Sequence, residues 1–171
     1  MKWRLHRAGP ADAAALSLVA GATFLEAFAG ILDGTDIIAH VTRNSSAAAF
    51  EAYLAGGAIA TLATADPGGA PLGYSLLTAP DLPIAPEPGD IELKRIYALF
   101  PTHGTGMGPA LMARAVEDAR SAGHRRLLLG VYGGNDRARR FYEKQGFAVA
   151  GTRRFLVGAT WHDDLIYARL I

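Results

Sequence analysis

The chain has 171 residues, half of them hydrophobic and 19% charged, which fits a single domain over residues 1–171 and excludes a disordered tail or a fibre. It contains no cysteine, so a disulfide framework, a thiolate metal site and a cysteine nucleophile are all excluded. The net charge of +1 hides an asymmetry, because residues 94–154 hold 12 of the 17 Lys and Arg against four acids, a surplus of +8. Such a field concentrates anionic ligands, and phosphate-bearing cofactors and nucleic acids both answer to it.

The start, MKWRLHRAGP, lacks the apolar core of a secretory leader. No uninterrupted apolar run reaches the ~18 residues of a membrane span, so a cytoplasmic protein without a membrane partner is expected. Lys2 to Arg7 alternates as a first strand. Pro10 and Asp12 open an Ala- and Leu-rich helix, which Gly21 and Gly30 are expected to break in two. Residues 47–55 are predicted as a helix ending at Gly56-Gly57. AIATLATA and PLGYSLLTA follow as strands around the turn Asp66-Pro67-Gly68-Gly69. The four prolines of residues 80–90 predict a loop.

Beyond that loop, IELKRIYALF is predicted as a strand, PTHGTGMG as a turn, and a helix as running to Ala122. Pro109 suits that helix's first turn and Gly123 its end. LLLGV reads as a short buried strand. Asn135 can cap a helix that ends at Gly146. FAVAGTRRFLVG and DLIYARLI are the last two strands, with His162-Asp163-Asp164 in a turn between them rather than in a metal site. Strands and helices do not strictly alternate, so the class is α+β with a partly antiparallel sheet.

Three pieces carry chemistry. The turn His103-Gly104-Thr105-Gly106-Met107-Gly108 joins a strand to a helix N-terminus. Its glycines allow close backbone approach, and the amides and helix end together suit a pyrophosphate. It is neither a P-loop nor a dinucleotide fingerprint, having no Gly-Lys-Ser/Thr and a G-x-G-x-G spacing. In the strand before it, Ile91, Leu93, Tyr97 and Leu99 share one parity, while adjacent Lys94 and Arg95 point to opposite faces. That irregularity predicts a bulge or a cleft edge with a free N–H, and Glu92 beside it is a candidate base for an ammonium substrate. In NDRARRFYEKQGF, Phe141 and Tyr142 read as core on pattern alone, yet a buried tyrosine hydroxyl can also act as an acid.

In this order and spacing, ELKRIYALFPTHGTGMGPALM followed by LLLGVYGGNDRARRFYEKQGF resembles the GNAT superfamily of acyl-CoA-dependent N-acetyltransferases. The resemblance covers residues 91–147 most specifically, and His103 and the late Pro101 depart from the family's loop pattern. It implies the GNAT fold, with a central, mixed, mostly antiparallel sheet flanked by helices. It also implies acetyl-CoA as co-substrate, no metal, and transfer to a primary amine of a small molecule or peptide by direct attack in a ternary complex. The backbone of Tyr97, Ala98 and Leu99 would pair with the pantetheine arm, and residues 103–108 would hold the pyrophosphate. Asn135 would touch the arm, Tyr142 would protonate the leaving thiolate, and Glu92 would accept the amine's proton.

TFLEAF and the C-terminal FLVGATWHDDLIYARLI resemble the bacterial polyamine-acetyltransferase-like branch more loosely. This makes Phe24, Glu26 and Phe28 candidate walls of the acceptor pocket. A homodimer is compatible with this reading, and nucleic acid is not expected as a partner, since no reading helix or row of stacking aromatics is present. The alternative is a non-catalytic acyl-CoA-binding sensor or regulatory module of the same fold.

Overall fold

The structure, a computed structural model, describes residues 1–157 and 160–171. The elements in chain order are β1 (Trp3–Arg7), a 3-10 turn (Pro10–Asp12), α1 (Ala13–Phe28), α2 (Gly34–Asn44), α3 (Ala47–Ala55), β2 (Ile59–Ala65) and β3 (Pro71–Thr78). Then follow β4 (Asp90–Ala98), a 3-10 turn (Phe100–Thr102), α4 (Met107–Ser121), β5 (Arg126–Tyr132), α5 (Asp136–Lys144), β6 (Ala148–Val157) and β7 (Thr160–Leu170). The strands form one sheet in the order β1-β2-β3-β4-β5-β7-β6, antiparallel throughout except between β4 and β5. This is the mixed α+β sheet that the sequence predicts.

The first long helix does not break at Gly21, because a lone glycine inside a helix costs only about 1 kcal/mol. Gly21 instead lets α2 approach: a Cβ there would stand 3.3 Å from Val41. The chain turns after Phe28, where Gly30 takes a φ of +80°. By length and composition Pro10–Phe28, with mean hydropathy 1.4, could cross a membrane. In the fold Leu16, Val19 and Ala20 pack with Phe50, Leu62, Tyr74 and Leu76, which makes α1 a core helix. Ser46 caps α3 by accepting from the Ala49 amide, a contact worth about 1 kcal/mol.

α4 covers the opposite face of the sheet, where Met112, Ala115 and Val116 meet Leu77, Ile91, Leu93, Leu127 and Leu129. Each of the larger of these side chains stabilises the fold by roughly 1.5–3 kcal/mol on burial.

The irregularity in β4 is a bulge. Leu76 pairs with Arg95 and Leu77 with Leu93, leaving Lys94 as the extra residue. A strand's side-chain period is two, so one inserted residue reverses every face beyond it. The shared parity expected for Ile91, Leu93, Tyr97 and Leu99 is corrected accordingly. Ile91 and Leu93 pack under α4, whereas Tyr97 and Leu99 pack on the side of α1 and α3.

β4 meets β5 at only three positions, Asp90↔Arg126, Ile91↔Leu127 and Glu92↔Leu128. Arg126 grips Asp90 at that end with two bonds of 2.7 and 2.8 Å, and the guanidinium holds the Asp90 carboxyl below the usual carboxylate range. Past Glu92 the two strands carry no ladder. The proline-rich segment 79–89 is a loop as predicted, and it also covers the sheet. Leu82 lies over Gly130 and Ile84 over Gly151, where added Cβ atoms would come within 3.4 and 3.1 Å of them.

The last strand begins at Thr160, so His162, Asp163 and Asp164 lie within β7 and not in a turn. Asp164 bonds Arg153 at 3.1 Å across the strand pair, and Asp163 pairs with Arg154 at 3.8 Å. These cross-strand charges hold polar residues in the ladder that composition alone would put in a turn.

Candidate active site

The separation of β4 from β5 leaves an edge of backbone facing a cleft. Leu99 donates its N–H to Leu72 O, and its carbonyl accepts from the amide and hydroxyl of Thr102. Leu99 is therefore committed within the chain, contrary to the expectation that its backbone is open to the arm. Successive residues of an antiparallel strand alternate their polar groups, so Tyr97 also turns its backbone to β3. Ile96 and Ala98 turn theirs to the cleft. His103 places a ring nitrogen 3.0 Å from Ala98 O and its ring edge-on to Phe100, so this side chain braces the turn.

The glycine turn lies at the end of that edge. Gly104 and Gly106 have φ of +81° and +85°, the left-handed region glycine tolerates, and Gly106 is the N-cap of α4. The Thr105 amide donates to Thr102 O and that of Ala110 to Gly106 O. Among the described residues, the amides of Gly104, Gly106, Met107 and Gly108 have no backbone acceptor, and Pro109 has no N–H to offer. Four donors at one helix N-terminus fit a pyrophosphate. Met107 is buried and anchors the turn on Ala63, Leu72 and Leu111.

α5 enters the cleft from the other side. Asn135 Oδ1 accepts from the Ala138 amide at 3.0 Å, the predicted cap, and the rest of the residue is exposed. Tyr142 packs its ring against Phe141, Phe147 and Tyr167. Burial first, and the nearby Tyr97 phenol second, push its hydroxyl well above the ordinary tyrosine value, so it is a protonated donor at neutral pH. Tyr167 donates to Glu143 at 2.9 Å, and Arg139 bonds Gly133 O and Asp136, which fixes α5 on β7. Arg137 and Arg140 are exposed.

Glu92 is 5% exposed, and its Oε2 accepts a 2.7 Å bond from the Asp81 amide of the covering loop. Of the three candidate walls, Phe24 and Phe28 come together with ring centroids 4.5 Å apart, and Phe24 stacks on His40 at 4.1 Å. Glu26 turns elsewhere and accepts from the Phe100 amide at 2.9 Å, so it does not join the two rings.

Sequence reasoning missed Arg95, Tyr53 and His40. Arg95 lies 5.4 Å from the centroid of the Tyr53 ring and 5.8 Å from that of Phe50, on the face away from α4. A cavity of about 520 Å³ beside Tyr53, Ile59, Leu77, Ile91, Lys94 and His124 includes none of the glycine-turn residues. Among the described residues no group of three metal-ligating side chains converges.

The family model described as acetyltransferase (GNAT) family matches residues 31–147. An uncharacterized N-acetyltransferase of Mycobacterium tuberculosis is 38% identical over 158 residues, which is 92% of this chain and 97% of that protein. The chain belongs to the GNAT acetyltransferase family. Solved structures agree on the fold. The PaiA N-acetyltransferase of Thermoplasma acidophilum, solved with coenzyme A, has a TM-score of 0.81 at 22% identity, with both chains covered in full. A ribosomal-protein-alanine N-acetyltransferase of Brucella melitensis has a TM-score of 0.72 at 22% identity, covering 98% of this chain and 99% of that one. This GNAT protein is accordingly an N-acetyltransferase that uses acetyl-CoA. The gap between β4 and β5 and the free amides at α4 are the features that suit that co-substrate.

Proposed function

We propose that the protein transfers an acetyl group from acetyl-CoA directly to a primary amine held beside the β4 bulge. The observation that carries this reading is the unpaired β4 edge past Glu92, which runs to the four free amides at the start of α4. The pantetheine arm would pair with the backbone of Ile96 and the Ala98 amide, and the pyrophosphate would bind the amides of Gly104, Gly106, Met107 and Gly108.

An ammonium of pKa about 10.4 must lose a proton before it attacks, and Glu92 takes that proton through water. The amine nitrogen then bonds to the thioester carbon. The resulting oxyanion accepts from the Ile96 amide, and the C–S bond breaks as Tyr142 protonates the sulfur. The surplus proton on the acylated nitrogen passes through water to the Tyr142 oxygen, and Glu92 releases its own proton to solvent. Asn135 borders the arm at the tip of α5.

A calorimetric titration with acetyl-CoA, repeated with dephospho-CoA and at raised salt, tests the first half of this reading. Saturable one-to-one binding is expected, and no binding to folded protein would overturn it. Thiol release across an amine panel tests the second half. Binding without transfer to any amine would leave a sensor of acyl-CoA in place of an enzyme.

A further inference from the structure

The guanidinium of Arg95 has no acid. It donates to Ser45 Oγ and Tyr53 OH, each at 3.4 Å, the outer limit of a hydrogen bond, and the Tyr74 hydroxyl lies beside it as a further neutral partner. Four other half-buried arginines have a carboxylate: Arg114 has Asp118, Arg126 has Asp90, Arg139 has Asp136 and Arg153 has Asp164. Among the described residues, no Asp or Glu lies within ion-pair distance of Arg95. A half-buried charge with neutral partners alone carries a desolvation cost that no counter-charge offsets.

Its surroundings are aromatic faces and hydroxyls. Phe50 and Tyr53 lie against the guanidinium, and Tyr74 stacks on Tyr97 next along the strand. His40, which faces this pocket from α2, is held below its usual pKa by burial and then by Arg95 itself, so at neutral pH it adds no second cation.

The location matters more than the charge. Through the bulge, Arg95 pairs with Leu76 and Glu92 with Thr78, so the two stand two register positions apart on one face, about 7 Å along the strand. We infer that Arg95 is the carboxylate-binding group of the acceptor site, and that the amine acceptor is an amino acid or a close relative bearing its own carboxylate. The inference rests on the acyl-transfer reading. It places the acceptor's anionic end on the Arg95 fork and its amine toward Glu92. A single guanidinium balances a carboxylate, whereas a dianionic phosphate would keep net negative charge in an apolar box. A polyamine would bring two cations against a fixed one, so this pocket disfavours the class that the looser resemblance points to.

The test compares matched pairs in the thiol-release assay on acetyl-CoA-saturated protein: lysine with cadaverine, phenylalanine with phenethylamine, alanine with ethylamine. Direct binding of each compound to the CoA-bound protein is measured alongside. The carboxylate-bearing member is expected to lead by on the order of 10–100-fold in kcat/KM or in affinity. Arg95→Met should bring that ratio close to one, and Arg95→Lys should restore part of it, with folding checked by circular dichroism and acetyl-CoA affinity. Equal values within the wild-type pairs, or no carboxylate-bearing member bound or turned over, would overturn the inference. So would a preference for phosphoethanolamine over all of them. Loss of acetyl-CoA binding in the wild type would instead strike the parent reading.

Discussion

The Asp81 amide donates to Glu92 Oε2 at 2.7 Å, tying the closed end of the cleft to the loop that covers it. The bond leaves Oε1 and the other lone pair of Oε2 to serve a water. It also predicts how two substitutions at this position differ. Glu92→Gln keeps an oxygen that accepts from Asp81, so melting should match the wild type. Removing the proton acceptor should lower kcat by about 10²–10⁴-fold, most strongly at lower pH. Glu92→Ala frees the loop as well and should melt earlier. A wild-type pH–rate profile in the Gln variant would remove Glu92 from the mechanism.

Tyr142→Phe should lower kcat and leave acetyl-CoA affinity alone, because its ring packing stays and only the hydroxyl goes. A thiol of pKa about 8.5 leaves with modest help, so the loss should be near the low end of general-acid effects, about 10²-fold. Isothermal titration set beside single-turnover rates separates the two quantities. An unchanged rate would exclude Tyr142 as the acid.

Burial holds the phenols of Tyr74, Tyr97 and Tyr142 protonated in the fold beyond their ordinary range. In the unfolded chain they ionise near pH 10. Above that pH the unfolded state binds fewer protons than the native one, so stability is fully present below about pH 10 and falls as pH rises. Urea unfolding from pH 8 to 11 should trace this decline, and Tyr74→Phe should make it shallower. A flat stability across that range would contradict the burial of these three groups.

Gly108 separates binding from folding. A Cβ there would meet Phe141 at 3.6 Å, ordinary contact, and its φ is not in the left-handed region. Ala is the better helix former, so Gly108→Ala should hold or raise stability, by about 0.5–1 kcal/mol at most. The same methyl would stand against a phosphate on the α4 amides and should weaken acetyl-CoA about tenfold or more. A thermal melt and a binding titration on one sample decide it, and unchanged affinity would move the pyrophosphate away from Gly108.

The elements around the glycine turn were legible because their signals are local. Two glycines at positive φ, Pro109 in a first turn and Asn135 at a cap each need only a few neighbours to be read. The bulge was half legible. Adjacent Lys94 and Arg95 signalled an irregular strand, but which side Tyr97 and Leu99 would take depends on which residue is extra, and only pairing with Leu76 and Leu77 decides that. The Arg95 pocket was hidden for a different reason. Its partners Ser45 and Tyr53 come from segments 50 and 42 residues away, and no spacing rule links them. The Glu26 contact is hidden too, because helix position does not say that its carboxylate will reach the Phe100 amide.

Three rungs are a thin weld for a seven-stranded sheet. On one side stand β1 to β4 with the first three helices, and on the other β5, β7, β6 and α5, with α4 bridging the two as a strap. A ligand that hydrogen-bonds along this seam would serve as a missing strand, so a co-substrate bound there would also be a structural component. The empty protein should exchange its amides as two blocks that open independently, and the loaded protein as one.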